Sequence, residues 1–407
     1  RGLGDVYKRQ ELDVERVNEY SLLLTWQGSD PDAGAILFTA HTDVVPIEPG
    51  TEDEWEYPPF DGVIADGIVH GRGTLDDKVG VISLLEAVGG LLAEDFQPRK
   101  TVVLAFGHDE EVSGKRGAAK IAERMQQKGL HFDWMVDEGG MLVPDNPILP
   151  QRTTGLVAVA EKGYLTLILE AVGEGGHSSM PPVESTIGRL SRALVRIEEN
   201  PFPPRLVGPV EAMLEDIAPY TDQPQRTLLE NLWLTAPLVA RGMTEDHTTN
   251  AYVRTTTAVT MFNAGVKENV VPQRAEARVN FRLLPGDTPD MVVERITEIV
   301  ADPSISIRYD NWDRIAPVAD YRGSGFDTIR AAVAEVYPEA LVVPTLLVAT
   351  TDTRHYIDVA DDIYRFHGAM IPMSDTSGIH GTNERIGVES FQRTVEIATH
   401  MIRKGSL

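Results

Sequence analysis

The run TVVLAF (Thr101–Phe106) leads, two residues on, into Asp109, Glu110 and Glu111. Six consecutive apolar and β-branched residues read as a buried strand. Three adjacent acids at its end repel one another and are costly to desolvate. A solvated turn would relieve them, and so would a bound cation. The second reading needs further ligands at the same strand end.

Other strand candidates supply them. AILFTA (Ala35–Ala40) ends at His41, with Asp43 two residues on, and FDWMV (Phe132–Val136) is followed by Asp137 and Glu138. Asp76 and Asp77 open a stretch in which Val81, Leu84, Leu85, Val88, Leu91 and Leu92 recur at helical spacing. A helix starting on aspartate is by itself only a cap. Strand, helix, strand, helix, strand predicts a parallel sheet covered by helices. Ligands of such sheets bind outside the carboxyl ends of the strands, so these acidic and histidine clusters are expected on one rim.

The texture changes near Gly163. YLTLILEAV alternates as an antiparallel strand does, a helix is expected around Ile187–Ile197, and TTTAVTMFNAG and RAEARVNFRLL read as two more alternating strands before the helix MVVERITEIV. The first texture returns with the helix FDTIRAAVAEVY, the strand LVVPTLLVA and a last helix over Val388–Arg403. The expected fold is an α/β catalytic domain in two parts, 11–162 and 315–407, interrupted by an α+β lid over 163–314, with the Pro- and Leu-rich segment 201–243 as a helical elaboration of that lid.

Composition removes several function classes. The net charge of −25 opposes binding to nucleic-acid phosphates or to anionic lipid. No uninterrupted apolar run is long enough to span a bilayer. With no cysteine there is no disulfide, no thiolate nucleophile and no Cys-ligated zinc, so a metal site must be built from His, Asp and Glu. The compartment stays open. The first ten residues, RGLGDVYKRQ, contain DVYKRQ, which resembles a translated transposon end. They are expected to be a sequencing artefact, and the natural N-terminus is then expected to lie outside this chain.

The stretches TAHTDVVP, GRGTLDDK, GHDEEVSG, DEGG, GGHSSMPP, NVVPQRAEARVNFRLLPGD, TDTRHY and SGIHGTNERI occur in this order. Together they resemble the co-catalytic dizinc hydrolases, which include aminoacylases and carboxypeptidases, and within them the carboxypeptidase S and secreted N-acyl-amino-acid hydrolase branch. The resemblance runs from Ala35 to the C-terminus. It implies two zinc ions per chain: His41 and Asp137 on one, Glu111 and His380 on the other, Asp76 bridging both. It implies Glu110 as general base and Asp43 as the acid that fixes the His41 tautomer. It also implies a cis peptide between Asp76 and Asp77. Three ionised carboxylates against two dications leave one positive charge to spare, so the acids are explained. Asp109 takes no role in this set and reads as a solvated turn residue.

For substrate, the resemblance implies an amide beside a free carboxylate, in a small peptide or an N-acyl amino acid. Arg354 is the first candidate to hold that carboxylate and Arg282 the second, since a guanidinium offers two parallel hydrogen bonds. Asn269 is expected to contact substrate from the lid, and His177 to donate to the oxyanion from the lid of its own or a partner chain. Two copies can pair through the lid in such proteins. A short-acyl aminoacylase, a dipeptidase, and a metal-binding relative without catalysis stand as alternatives. The remaining histidines, His367 among them, carry no motif, and a surface or packing role is the expectation.

Overall fold

The computed structural model of the protein describes residues 12–146 and 149–407. The expectation about the first ten residues therefore lies outside the described part. The chain divides into two compact units: one runs through Ala160 and includes Ala212–Arg226 and Ala316–Leu407, and the other comprises Glu161–Glu211 and Thr227–Ile315.

The first unit is built on a nine-stranded sheet. Its centre is Thr101–Gly107, Ala35–His41 and Phe132–Asp137, side by side and parallel, continued by Ala360–Arg365, which is parallel to Phe132–Asp137. Every residue of Ala35–His41 and of Thr101–Gly107 is buried. That is why they read as unbroken apolar runs: a parallel strand covered on both faces has no polar side to show.

Alternation then sorts the side chains into two cores. Ile36, Phe38, Ala40, Leu104, Phe106, Trp134 and Val136 face one way, against the helices Lys78–Ala93, Ser324–Val336 and Val388–Gly405. Leu37, Val103, Ala105 and Met135 face the other, against Ala118–Gln127. Leu91, at 0 % exposure, contributes about 1.5–3 kcal/mol by its burial, as do its equals. The helix Lys78–Ala93 is started by Asp77, whose carboxylate accepts from Gly80 N.

Two further elements bear on the site. A three-stranded sheet pairs Arg385–Gly387 with Ile68–His70 and the latter with Val63–Ala65, bringing the last motif beside GRGTLDDK. The turn Asp352–His355 docks on the acidic loop through His355 Nε2 and Ser113 O, 2.9 Å apart. Gly114 ends that loop at φ +63°, and a Cβ there would overlap the Asp352 carboxylate, so only glycine fits.

The second unit carries a four-stranded antiparallel sheet in the order Thr256–Ala264, Arg274–Leu283, Gly163–Val172, Ile305–Trp312. One face packs on Thr186–Glu199 and Pro289–Val300 through Leu165, Leu167, Leu190, Ile197, Phe281 and Ile296. The segment 201–243 is helical, as Gly208–Ile217, Gln225–Leu229 and Leu232–Gly242. It does not belong whole to this unit. Residues 212–226 join the first, where the Thr345 hydroxyl donates to Met213 Sδ at 3.5 Å and Arg152 lies 4.3 Å over the Tyr220 ring.

Candidate metal centre

The carboxyl ends of the three central strands lie together, His41 opposite Gly107 in the ladder. His41 ends its strand at 1 % exposure, and its Nε2 is 2.9 Å from Asp76 Oδ1 and 3.5 Å from Glu138 Oε1. Across from it, His380 Nε2 is 3.0 Å from Asp76 Oδ2 and 3.1 Å from Glu111 Oε2. The two oxygens of Asp76 thus face two different histidines. This is the arrangement a bridging carboxylate requires, between residues 304 positions apart in sequence (380 − 76). The peptide between Asp76 and Asp77 is cis.

The donor atoms suit small divalent ions. A tetrahedral zinc with bonds of about 2.0–2.1 Å separates neighbouring ligand atoms by roughly 3.3 Å. The four imidazole–carboxylate separations above lie at 2.9–3.5 Å. The carboxylates are also crowded. Burial raises the Glu138 pKa to about 7, against the attraction of His41. Burial, with the charges of Glu138 and Asp352, pushes Glu110 up to about 10. Asp77, fully buried, is pushed well above the carboxylate range by burial and then by Glu138. Burial opposes protonation of His41, but Glu138, Asp43 and Asp76 outweigh it and raise its pKa. Acids driven to hold protons at neutral pH are acids short of a counter-charge, and bound dications supply one.

One ligand differs from the expectation. Asp137, the last residue of its strand, follows the alternation of Met135 and stays inside the sheet layer, where it is 3 % exposed. Burial raises its pKa, against a hydrogen bond from Thr39, and its Oδ2 has no hydrogen-bond partner. Glu138, one residue past the strand, turns to the rim and meets His41. The expected placement is therefore corrected: Glu138, and not Asp137, faces His41 Nε2.

The remaining expected residues fall as follows. Asp43 lies 3.3 Å from His41 Nδ1 and accepts from Glu110 N and Glu111 N at 3.2 and 3.1 Å, so it orients the imidazole and the acidic loop at once. Glu110 sits on that loop beside Glu111. Arg354 is nearly buried on the docked turn, and its positive charge acts on both Glu110 and Asp352. In the second unit, Gly176–His177 pairs with Val270–Val271, and Ser178 N donates to Asn269 O at 3.2 Å. Thus His177 and Asn269 are neighbours. His177 Nδ1 is 2.7 Å from Ser179 Oγ. Arg282, next to last in the strand Arg274–Leu283, lies 4.8 Å over the Tyr164 ring.

Several residues were not found by sequence reasoning. Asp77 accepts from His41 N at 3.3 Å and so fixes the strand end that carries the imidazole. Asp109 is no solvated turn residue: it is 8 % exposed and accepts from Arg116 N and Gly117 N at 2.8 and 2.6 Å, which shapes the loop before Ala118–Gln127. His367 is half-buried near Asp76 with its pKa lowered to about 4 by desolvation, so it is neutral at working pH. Its sequence context, FHGAM, gives no motif.

Residues 37–404 match the model of peptidase family M20/M25/M40. The chain belongs to this family. The M20 chain is 39 % identical over 402 residues to mouse N-fatty-acyl-amino acid synthase/hydrolase PM20D1, covering 98 % of this chain and 79 % of that protein. It is 31 % identical to carboxypeptidase S of Saccharomyces cerevisiae, covering 93 % and 73 %. Among solved structures, an M20 family metallo-carboxypeptidase from Sulfolobus solfataricus superposes with a TM-score of 0.69 at 19 % identity, over 96 % of this chain and 89 % of that one. Human carnosine dipeptidase 1 gives 0.62 at 15 % identity, over 99 % and 90 %. The M20 chain is a metal-dependent hydrolase with the α/β fold of that family. No helix among the described residues is long and apolar enough to cross a membrane.

Proposed function

We propose that the protein holds two zinc ions and hydrolyses the amide of N-acyl amino acids or blocked peptides next to a free carboxylate. The observation that carries this reading is Asp76, with one oxygen on His41 and the other on His380. His41 and Glu138 would hold one ion and His380 and Glu111 the other, with Asp76 shared. When bound, such a pair acidifies a water and polarises the scissile carbonyl.

The chain's own residues do the rest. Glu110, held by Asp43 at its backbone and next to Glu111, takes the proton of the attacking water and later passes it to the leaving amine. Its half-buried setting supports proton exchange, since a carboxylate in water is too weak a base for the task. Arg354 holds the substrate carboxylate. His177 donates to the oxyanion, and Asn269, which lies opposite Ser178, contacts the substrate.

Replacing the imidazole tests its part. His177→Ala should leave metal content unchanged and lower kcat by about a hundredfold, or about 3 kcal/mol in barrier height. An unchanged kcat removes His177 from the reaction.

The amide reading is tested by assaying release of free amino acid from N-acyl amino acids of graded chain length, with blocked dipeptides alongside. The similarity to mouse PM20D1, at 39 % identity against 31 % for carboxypeptidase S, favours long acyl chains over peptides. The expected result is hydrolysis of long-chain N-acyl amino acids with KM falling as the chain lengthens. Cleavage of blocked dipeptides alone would place the chain with carboxypeptidase S, and turnover of neither by metal-loaded protein would overturn the reading.

A further inference from the structure

Glu384 has 0 % exposure, and its carboxylate gathers four N–H donors. Oε2 accepts from Arg72 Nη1 at 2.6 Å and from Gly73 N at 2.9 Å. Oε1 accepts from Leu75 N at 2.7 Å and from Asp76 N at 3.1 Å. The same arginine reaches the other way, donating from Nη2 to Gly381 O at 2.8 Å, beside His380. Gly71 N closes the set on Glu384 O at 3.0 Å, at the end of the ladder between Ile68–His70 and Arg385–Gly387. The Trp55 ring covers the guanidinium, whose carbon is 5.3 Å from the ring centroid.

The backbone on both sides of this contact is of a kind that does not hold itself. His41 and Glu138 come from the end of regular strands. Asp76 and His380 do not. Asp76 follows a loop with Gly71 and Gly73 at φ +154° and +87°, and His380 and Asn383 lie at φ +58° and +62° in the turn before Glu384. Glycine-rich and left-handed backbone is entropically expensive to fix. A buried carboxylate with every acceptor position used is a rigid anchor, whereas a buried ion pair adds little to net stability.

We propose that Glu384 and Arg72 are positioning residues for the metal centre: one carboxylate and one guanidinium set the separation of Asp76 and His380, the bridging ligand and the ligand opposite it, before any ion arrives. The inference rests on the two-metal reading. It assigns the glutamate of GTNERI and the arginine of GRGTLDDK to metal affinity, although neither touches a ligand side chain.

The chemistry of the pocket selects the test. Glutamine has the size of Glu384, but its amide NH2 would face N–H donors where an acceptor is needed, so Glu384→Gln unmakes one side of the anchor. Arg72→Lys keeps a cation on Glu384 but cannot span to Gly381. Metal-free protein of each variant is titrated with Zn2+ in competition with a chromophoric chelator, while far-UV circular dichroism reports folding. Glu384→Gln should bind metal 10- to 100-fold more weakly than wild type, and Arg72→Lys several-fold more weakly, both with the wild-type dichroism spectrum. If Glu384→Gln does not fold, Arg72→Lys carries the test. Folded variants that bind Zn2+ as tightly as wild type, with only a lowered melting temperature, would show a merely structural role and overturn the proposal. A wild-type chain that binds no Zn2+ would instead overturn the reading beneath it.

Discussion

Glu110→Gln is expected to lower kcat by about a thousandfold, or about 4 kcal/mol in barrier height, while metal content stays at the wild-type value. The substitution keeps the shape of the side chain and removes its basicity. Its neighbour behaves differently. Glu111 faces His380 at 3.1 Å, and Glu111→Gln should weaken metal binding before it affects anything else. The two acids are adjacent and of one kind, so size, helix propensity and surface charge cannot explain opposite outcomes. Position can: Asp43 pins the backbone amides of both, and Glu111 then meets Asp76 and His380 while Glu110 lies under the charges of Glu138 and Asp352. Equal metal content and similar rates in the two variants would contradict this division. Steady-state kinetics beside metal analysis of each purified variant decides it.

The second large effect separates Asp137 from Glu138. Glu138→Gln should reduce metal affinity at the His41 side by tenfold or more, since it removes a charged donor 3.5 Å from Nε2. Asp137→Asn should retain both ions, because its carboxylate takes its hydrogen bond from Thr39 within the sheet layer, whereas Glu138 is the acid that faces His41 Nε2. The reverse pattern, metal lost with Asp137 and kept with Glu138, would restore the ligand set that the motif alone suggests.

That exchange shows where the sequence was legible and where it was not. The central strands could be read because burial on both faces left them wholly apolar, and the helix from Lys78 because its leucines recur at helical spacing. The strand Ile305–Trp312 could not. It is an edge strand, exposed along most of its length, and of its alternating ISIRYD only Ile305 and Ile307 reach the core, too short an apolar face to mark it out. Ala360–Arg365 was hidden for another reason: Asp361 and Asp362 interrupt an otherwise apolar run, and Asp362 accepts from the backbone of Asp320, a partner no local pattern reveals. The rim was visible as a set of acids at strand ends. Which of two adjacent acids turns outward depends on where the strand stops, and one residue of register moves a side chain to the other face. Glu384 and Arg72 lay in plain view inside quoted motifs, but their roles appear only when residues 312 positions apart meet.

The central claim is that His41, Asp76, Glu111, Glu138 and His380 hold two divalent ions. Elemental analysis of the purified, folded chain after mild dialysis from zinc-containing buffer tests it most directly. The account predicts close to two zinc ions per chain, lost on chelation together with amide hydrolysis. Folded protein that emerges from the same zinc-replete preparation with no bound metal would contradict it.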